Sequence, residues 1–312
     1  MSETILITGG CGFIGINLIS LLTKHNKYNI RVLDNETPGK KESLRDSNVD
    51  FIKGDIRDKE IVEHALKDTK SVIHLAADTR VMDSIENPSY NFDVNVNGTL
   101  TLLSAMEKLG VKRIINASTG GAIAGDIEPP VHESIIPCPA SPYGASKLAV
   151  EGYLSAFSGS YGFSTTSLRF SNIYGPHSRH KSSVIASFMK SILERKELVI
   201  YGDGKQTRDY VYVDDISHGI YLALKNNIRG VFQLGSGIPT SLNTLIDKIR
   251  KTVGDDFKFS VRYDDYRKGE VRHTWSDIAK ANKLLKYQPE MSLDKGLEMT
   301  WEWYKKIYFF HK

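Results

Sequence analysis

Cysteine is scarce in this chain of 312 residues: Cys11 lies inside a glycine-rich turn and Cys138 in a proline-rich loop. Two such positions do not make a disulfide framework, so a reducing compartment is expected. No apolar run approaches the roughly 20 residues that cross a bilayer. The N-terminus enters a strand with neither a basic start nor an apolar signal region, and a cytoplasmic protein is expected. Runs of one charge are missing as well. The 41 Lys and Arg residues against 37 Asp and Glu leave a net charge of +4, spread in pairs such as Lys40-Lys41 and Lys305-Lys306. That is not the basic stripe nucleic acid requires, though a few placed cations would suit a small anion. No repeat or low-complexity tract appears, and the length allows one large or two modest domains.

What is present begins at once. The apolar strand Thr4-Ile5-Leu6-Ile7-Thr8 runs into Gly9-Gly10-Cys11-Gly12-Phe13-Ile14-Gly15, and an apolar-periodic helix follows through Ile16, Leu18, Leu21 and Leu22. Glycines there let the chain turn tightly, let the backbone approach a pyrophosphate, and let the helix sit close on its strand. A second strand, Asn29-Ile30-Arg31-Val32-Leu33, ends in Asp34, 19 residues beyond Gly15. A carboxylate at that offset accepts hydrogen bonds from the adenosine ribose hydroxyls. Strand, turn, helix, strand and acid in this order predict dinucleotide binding by Gly9, Gly12, Phe13, Ile14, Gly15 and Asp34. The same carboxylate would repel a 2′-phosphate, so NAD is expected over NADP.

Apolar strands then alternate with helices. Strands are predicted at 50–53, 71–75, 113–117 and 165–170, and helices near 59–66, 91–109 and from Tyr143. This alternation implies βαβ crossovers and an α/β, Rossmann-type doubly wound parallel sheet. Beyond the polar loop Pro176–Ser183 the pattern changes to short strands near 198–201, 210–213, 231–234 and 257–261 with helices between them. The expected division is a dinucleotide-binding domain over 1–175 and a smaller α/β substrate lobe over 176–312, with part of 214–240 returning to the first domain. The aromatic end, Trp301 to Phe310, is expected to be one helix packing its face.

Tyr143-Gly144-Ala145-Ser146-Lys147 places a phenol and an ammonium on one helix face. A tyrosine near pKa 10 is a poor base at neutral pH, and a neighbouring Lys⁺ is expected to lower that value. The preceding strand ends in Ser118-Thr119, and a hydroxyl there can bond the substrate oxygen that Tyr143 deprotonates. Both remain candidates.

In these segments the chain resembles the extended short-chain dehydrogenase/reductase family, and within it the nucleotide-sugar epimerases of the UDP-glucose 4-epimerase type. The resemblance spans nearly the whole length. It rests on the glycine turn, Gly54-Asp55-Ile56-Arg57-Asp58, His74-Leu75-Ala76-Ala77, Asn95-Val96-Asn97-Gly98-Thr99, Ser118-Thr119-Gly120-Gly121 and Tyr143-x-x-x-Lys147. Downstream it continues through Arg169-Phe170-Ser171-Asn172-Ile173-Tyr174-Gly175-Pro176, Tyr201-Gly202-Asp203-Gly204, Arg208-Asp209-Tyr210 and Arg267-Lys268-Gly269-Glu270. The resemblance implies that Asp55 and Ile56 flank the adenine, with Asn35 and Asn95 also on the cofactor, Leu75, Ala76 and Ala77 along the nicotinamide, and Arg80 as a nearby cation. Asn172 would bond the substrate, Arg208 and Arg267 would hold its pyrophosphate, and Glu270 would lie near the uridine ribose. Thr274 would border the pocket for the sugar's 2-substituent, and being small would admit an acetamido group. Relatives pair helices equivalent to 91–109 and 143–157, which implies a homodimer, with Leu100, Leu103, Leu148 and Leu154 serving core or interface.

Departures narrow the activity. Ala124 replaces the family's usual tyrosine before Gly125, and Gly120 replaces a common hydroxyl. Related dehydratases and decarboxylases carry an acid immediately after the catalytic hydroxyl, and Gly120-Gly121 supplies none. The loop residues His177, Arg179 and His180 lack the Cys or carboxylate company of a metal site, and no metal is expected. An NAD-dependent 4-epimerase of a UDP-hexose is the expectation, acting on N-acetylglucosamine/N-acetylgalactosamine or glucose/galactose forms. The alternatives are a UDP-glucuronate 4-epimerase, with Arg179 meeting the carboxylate, or another nucleotide-sugar oxidoreductase. A non-catalytic dinucleotide sensor would have no use for the Tyr143 and Lys147 pair.

Overall fold

The computed structural model describes residues 2–266 and 271–310. Six strands lead the chain: β1 (Glu3–Thr8), β2 (Tyr28–Asp34), β3 (Asp50–Lys53), β4 (Thr69–His74), β5 (Arg113–Thr119) and β6 (Ser164–Phe170). They are followed by β7 (Asn172–Tyr174), β8 (Leu198–Tyr201), β9 (Thr207–Tyr212), β10 (Gly230–Leu234), β11 (Pro239–Ser241) and β12 (Val261–Asp264). The central sheet has seven parallel strands in the order β10-β6-β5-β4-β1-β2-β3. Its order reverses between β1 and β4, which opens a crevice at the carboxyl ends of the strands where ligands of such sheets bind.

The apolar run in β1 follows from burial on both faces. Ile5 and Ile7 join a core with helix Phe13–His25 and helix Val213–Asn226, while Leu6 points to the opposite core with helices Gly98–Lys108 and Pro142–Tyr161. The smaller lobe has β9 between parallel β7 and antiparallel β11, and a separate parallel pair of β8 and β12. Its core gathers Phe188, Tyr212 and Ile246 with Trp301 and Tyr304 of the C-terminal helix Leu293–Phe310.

One cut at residue 175 does not describe the packing. Helix Val213–Asn226 and β10 return to the large sheet, and Ala281, Leu285 and Tyr287 also bury themselves in its core. Two local expectations change as well. The segment predicted as one helix from 91 to 109 begins as helix Pro88–Phe92, capped by Asn87, and passes through a wide π turn at Asp93–Asn97 before Gly98–Lys108. The strand predicted at 257–261 starts only at Val261. Asp255–Phe257 is instead a 3₁₀ turn that plugs the Phe257 ring edge-on against Trp301, with centroids 4.9 Å apart.

Candidate active site

The glycine turn has the shape its sequence suggests. Gly9 holds φ +73°, and a Cβ there would lie 2.6 Å from the Ala76 nitrogen, so only glycine lets the turn press against the segment leaving β4. A Cβ on Gly12 would meet only the Gly9 carbonyl, at 3.2 Å, leaving open backbone for a phosphate. No side chain caps helix Phe13–His25 at its N-terminus, so the N–H groups of its first turn are left for an anion. These residues fit a dinucleotide.

Asp34 closes β2 beneath the turn. Its carboxylate accepts the Cys11 N–H at 2.9 Å and the Glu36 N–H at 2.7 Å. Burial pushes its pKa up while these two bonds hold it down. A carboxylate offers about four lone-pair sites, which leaves acceptors for ribose hydroxyls. The neighbouring Cys11 thiol is pushed up to about 12 by burial and stays protonated. Asn35 donates to Asp55 at 3.0 Å, and Arg57 grips both Asp55 oxygens, holding that carboxyl down at about 2. The Ile56 side chain packs under Gly98 in the core, where the crossover covers the sheet.

Two further cofactor candidates face elsewhere. Asn95 is buried, accepts the Asp78 N–H at 2.8 Å and donates to the Asp78 carbonyl and Ser146 Oγ, each at 2.9 Å. The π turn aims it inward, where it joins the segment after Ala77 to the catalytic helix. Arg80 turns to Asp83 at 3.3 Å and the His180 carbonyl at 3.4 Å. The ammonium that reaches this segment belongs to Lys181, bonded to Thr79 Oγ1 at 3.0 Å. Lys181 is half-buried, and desolvation lowers its pKa. No sequence pattern marks it, because its placement depends on the second lobe folding over the first.

Helix Pro142–Tyr161 presents the acid–base pair. Ser141 caps it by accepting the Gly144 N–H at 3.2 Å, and Pro142 occupies its first turn, so Tyr143 enters the cleft on a fixed helix end. Burial pushes the phenol's pKa up to about 12 and outweighs the neighbouring Thr119 hydroxyl, which favours the phenolate. Lys147, one turn on, is buried, donates to the Ala117 carbonyl at 2.9 Å and is pushed down to about 8 by desolvation. Burial, rather than the lysine, sets the direction of the phenol's pKa. Ser118 is removed from the reacting position: its hydroxyl points under the helix to Glu151 Oε1 at 2.5 Å. Of the two candidate hydroxyls, Thr119 is the one beside Tyr143.

A cleft of about 390 Å³ lies in the smaller lobe, lined among others by Asn172, Ser183, Val199, Tyr201, Gln206 and Arg208. Arg208 is oriented by the carbonyls of Thr207 at 2.9 Å and Arg272 at 3.2 Å. Gln206, missed in the sequence, is buried there with its Oε1 unpartnered. Thr274 stands at the catalytic loop, since a Cβ on Gly121 would lie 3.2 Å from its Oγ1. Arg179 is exposed and does not line the cleft. Arg267 and Glu270 lie outside the described residues. His177 packs on Trp303 with ring centroids 5.1 Å apart, and among the described residues no cluster of His, Cys, Asp and Glu is arranged to hold a metal ion.

A dinucleotide turn, a Tyr-x-x-x-Lys helix and a hydroxyl at the end of β5 define a dehydrogenase-type redox site. Residues 5–235 match the family described as NAD dependent epimerase/dehydratase. The putative UDP-glucose 4-epimerase of Methanocaldococcus jannaschii is 40% identical, covering 96% of this chain and 98% of that protein. The UDP-glucose 4-epimerase of Thermotoga maritima, solved with UDP-glucose, superposes with TM-score 0.91 at 38% identity over 98% of this chain and 100% of that one. A UDP-N-acetylglucosamine 4-epimerase from Methanobrevibacter ruminantium, solved with UDP-N-acetylmuramic acid, gives TM-score 0.91 at 32% identity over the same shares. The chain belongs to the NAD-dependent epimerase/dehydratase family and is an enzyme that uses NAD.

Proposed function

We propose that this enzyme inverts the 4-hydroxyl of a UDP-hexose, with UDP-N-acetylglucosamine/N-acetylgalactosamine and UDP-glucose/galactose as its substrates. The Thr119 hydroxyl set beside the Tyr143 phenol carries this reading. Thr119 holds the sugar's 4-oxygen and Tyr143 takes its proton. The glycine turn and Asp34 would hold NAD, which would supply reversible hydride transfer at C4 of the sugar. Lys147 keeps positive charge beside the phenolate, and Asn172 and Arg208 hold the nucleotide end while the sugar turns over. No acid follows Thr119, so nothing there is placed to drive water loss or decarboxylation. Incubation with UDP-glucose, UDP-N-acetylglucosamine and UDP-glucuronate, followed by separation of products, tests the assignment. Conversion of the glucuronate alone would overturn it.

We also infer a homodimer built on helices Gly98–Lys108 and Pro142–Tyr161. Leu103 and Leu154 are core residues, but Phe92 is 52% exposed and Tyr153 40% exposed on the expected face, with Leu100 and Leu148 half-buried. No helix among the described residues is long and apolar enough to cross a membrane, and we place the enzyme in the cytoplasm.

A further inference from the structure

Beneath the catalytic helix lies an ion pair that the reaction above leaves unused. Glu151, one turn beyond Lys147, is 9% exposed, and Arg169 of β6 is 4% exposed. Arg169 donates from Nε to both Glu151 oxygens, at 3.0 and 3.2 Å, and from Nη2 to Oε2 at 2.7 Å. Ser118 donates to Oε1 at 2.5 Å, and Arg169 Nη1 has no partner. Such a pair is weak support for stability, because desolvating two charges costs about what their attraction returns, and well-packed apolar residues often do as well. An orphaned guanidinium nitrogen makes the structural account weaker still.

Its location suggests another role. Lys147 is 5% exposed, and its ammonium faces the Ala117 carbonyl on β5. The titratable groups around it are Tyr143 and Glu151 on its own helix, Arg169 on β6, His74 on β4 and Lys181 from the loop after Pro176. His74 is held neutral, pushed down to about 3 by burial, and Lys181 repels. Of these groups Glu151 alone brings negative charge, and its pull partly offsets the desolvation of Lys147. Two-pronged binding by Arg169 holds that charge in place. The Ser118 bond fixes the strand end from which the next residue, Thr119, meets Tyr143.

We propose that Glu151, clamped by Arg169 and Ser118, is a positioning residue that keeps Lys147 protonated at working pH. The inference rests on Tyr143 being the base supported by Lys147. Glu151→Gln removes the charge at nearly constant shape, and two pH titrations of the variant test the role. In turnover of the NAD-loaded enzyme, the alkaline limb is expected to move acidward by about one pH unit or more, with only a few-fold loss at about pH 6. Lys147 is also expected to meet the bound nucleotide, so NADH binding, which needs no reaction, is expected to weaken as Lys147 loses its charge; that alkaline limb is expected to shift in the same direction, and Glu151→Asp is expected to leave both limbs in place. If Glu151→Gln does not fold, the double variant Glu151→Gln/Arg169→Met removes both buried charges and is expected to show a smaller shift in the same acidward direction, because loss of the guanidinium offsets part of the loss of the carboxylate. A uniform loss at every pH, or limbs that stay put, would overturn the proposal. If the NADH limb moves while Tyr143→Phe still turns over normally, the reading of Tyr143 as base fails and the role of Glu151 in charging Lys147 stands.

Discussion

Tyr143 and Lys147 stand one turn apart on helix Pro142–Tyr161, and burial moves their acidities past each other. The phenol is pushed up to about 12 and the ammonium down to about 8, so the lysine is the stronger acid of the two. Near neutral pH the phenol is therefore neutral and the lysine charged. The positive charge of an oxidised nicotinamide would oppose desolvation of the phenolate. NAD⁺ binding is expected to lower the tyrosinate titration of Tyr143 below its nucleotide-free value, whereas NADH, with a neutral ring, is expected to lower it less. Ultraviolet difference titration of wild type against Tyr143→Phe isolates this residue. Identical curves with NAD⁺ and NADH would contradict the electrostatic account.

Removing the phenol oxygen tests its chemical role directly. General-base catalysis contributes about 10²–10⁴-fold. Tyr143→Phe is expected to lower turnover by that range while UDP and NAD binding, followed by calorimetry, change little. Thr119→Val is expected to fall in the same direction. Ser118→Ala should act through Glu151, with a smaller loss.

The glycine turn and Asp34 are legible in the sequence because each is local: an apolar strand, a turn that needs glycine, and an acid at the end of the next strand. The parallel sheet is legible for the same reason, since its strands are apolar runs covered on both faces. Other features depend on contacts between distant segments. Strand β10 pairs with β6, Gly230 opposite Thr166, and nothing nearby in the chain announces that register. Ser118 and Thr119 are equivalent hydroxyls until the helix is laid against the strand and Glu151 claims one of them. Lys181 joins Arg80 at this segment only because the loop after Pro176 folds back onto it, a contact 102 residues apart in the chain. The Asn95 bonds to Asp78 and Ser146 likewise depend on the π turn and on segments distant in sequence.

Cofactor choice rests on Asp34. NAD is expected to bind more tightly than NADP, because a second phosphate would meet this carboxylate. The ionised form is the one that accepts ribose hydroxyls, and burial raises its pKa. NAD affinity is therefore expected to fall as pH drops through that raised value, at a higher pH than an exposed aspartate would give. Asp34→Asn should weaken NAD, remove this acid dependence and narrow the gap to NADP in a direct binding comparison. Preference of wild type for NADP would reverse the assignment.

Assembly has a simple check. Light scattering at micromolar concentration is expected to report a dimer, and Tyr153→Asp with Phe92→Asp is expected to give monomers that still bind NAD. A monomeric wild type would remove the helix-pair interface from consideration.

Substrate breadth turns on Thr274. This side chain faces the catalytic loop across Gly121, where even a Cβ would come within 3.2 Å of its Oγ1. Thr274 is small, and we propose from the family resemblance that it borders the pocket for the sugar's 2-substituent. Both acetamido and hydroxyl sugars are therefore expected to be turned over. Filling that space should separate them. Thr274→Tyr adds a ring that an acetamido group cannot share, while a 2-hydroxyl needs little room. The variant is expected to lose UDP-N-acetylglucosamine turnover, by about 10-fold or more, and to keep UDP-glucose turnover within a few-fold. Equal loss of both would mean the ring disturbs the catalytic loop itself, and undiminished acetamido turnover would mean that Thr274 does not bound this pocket.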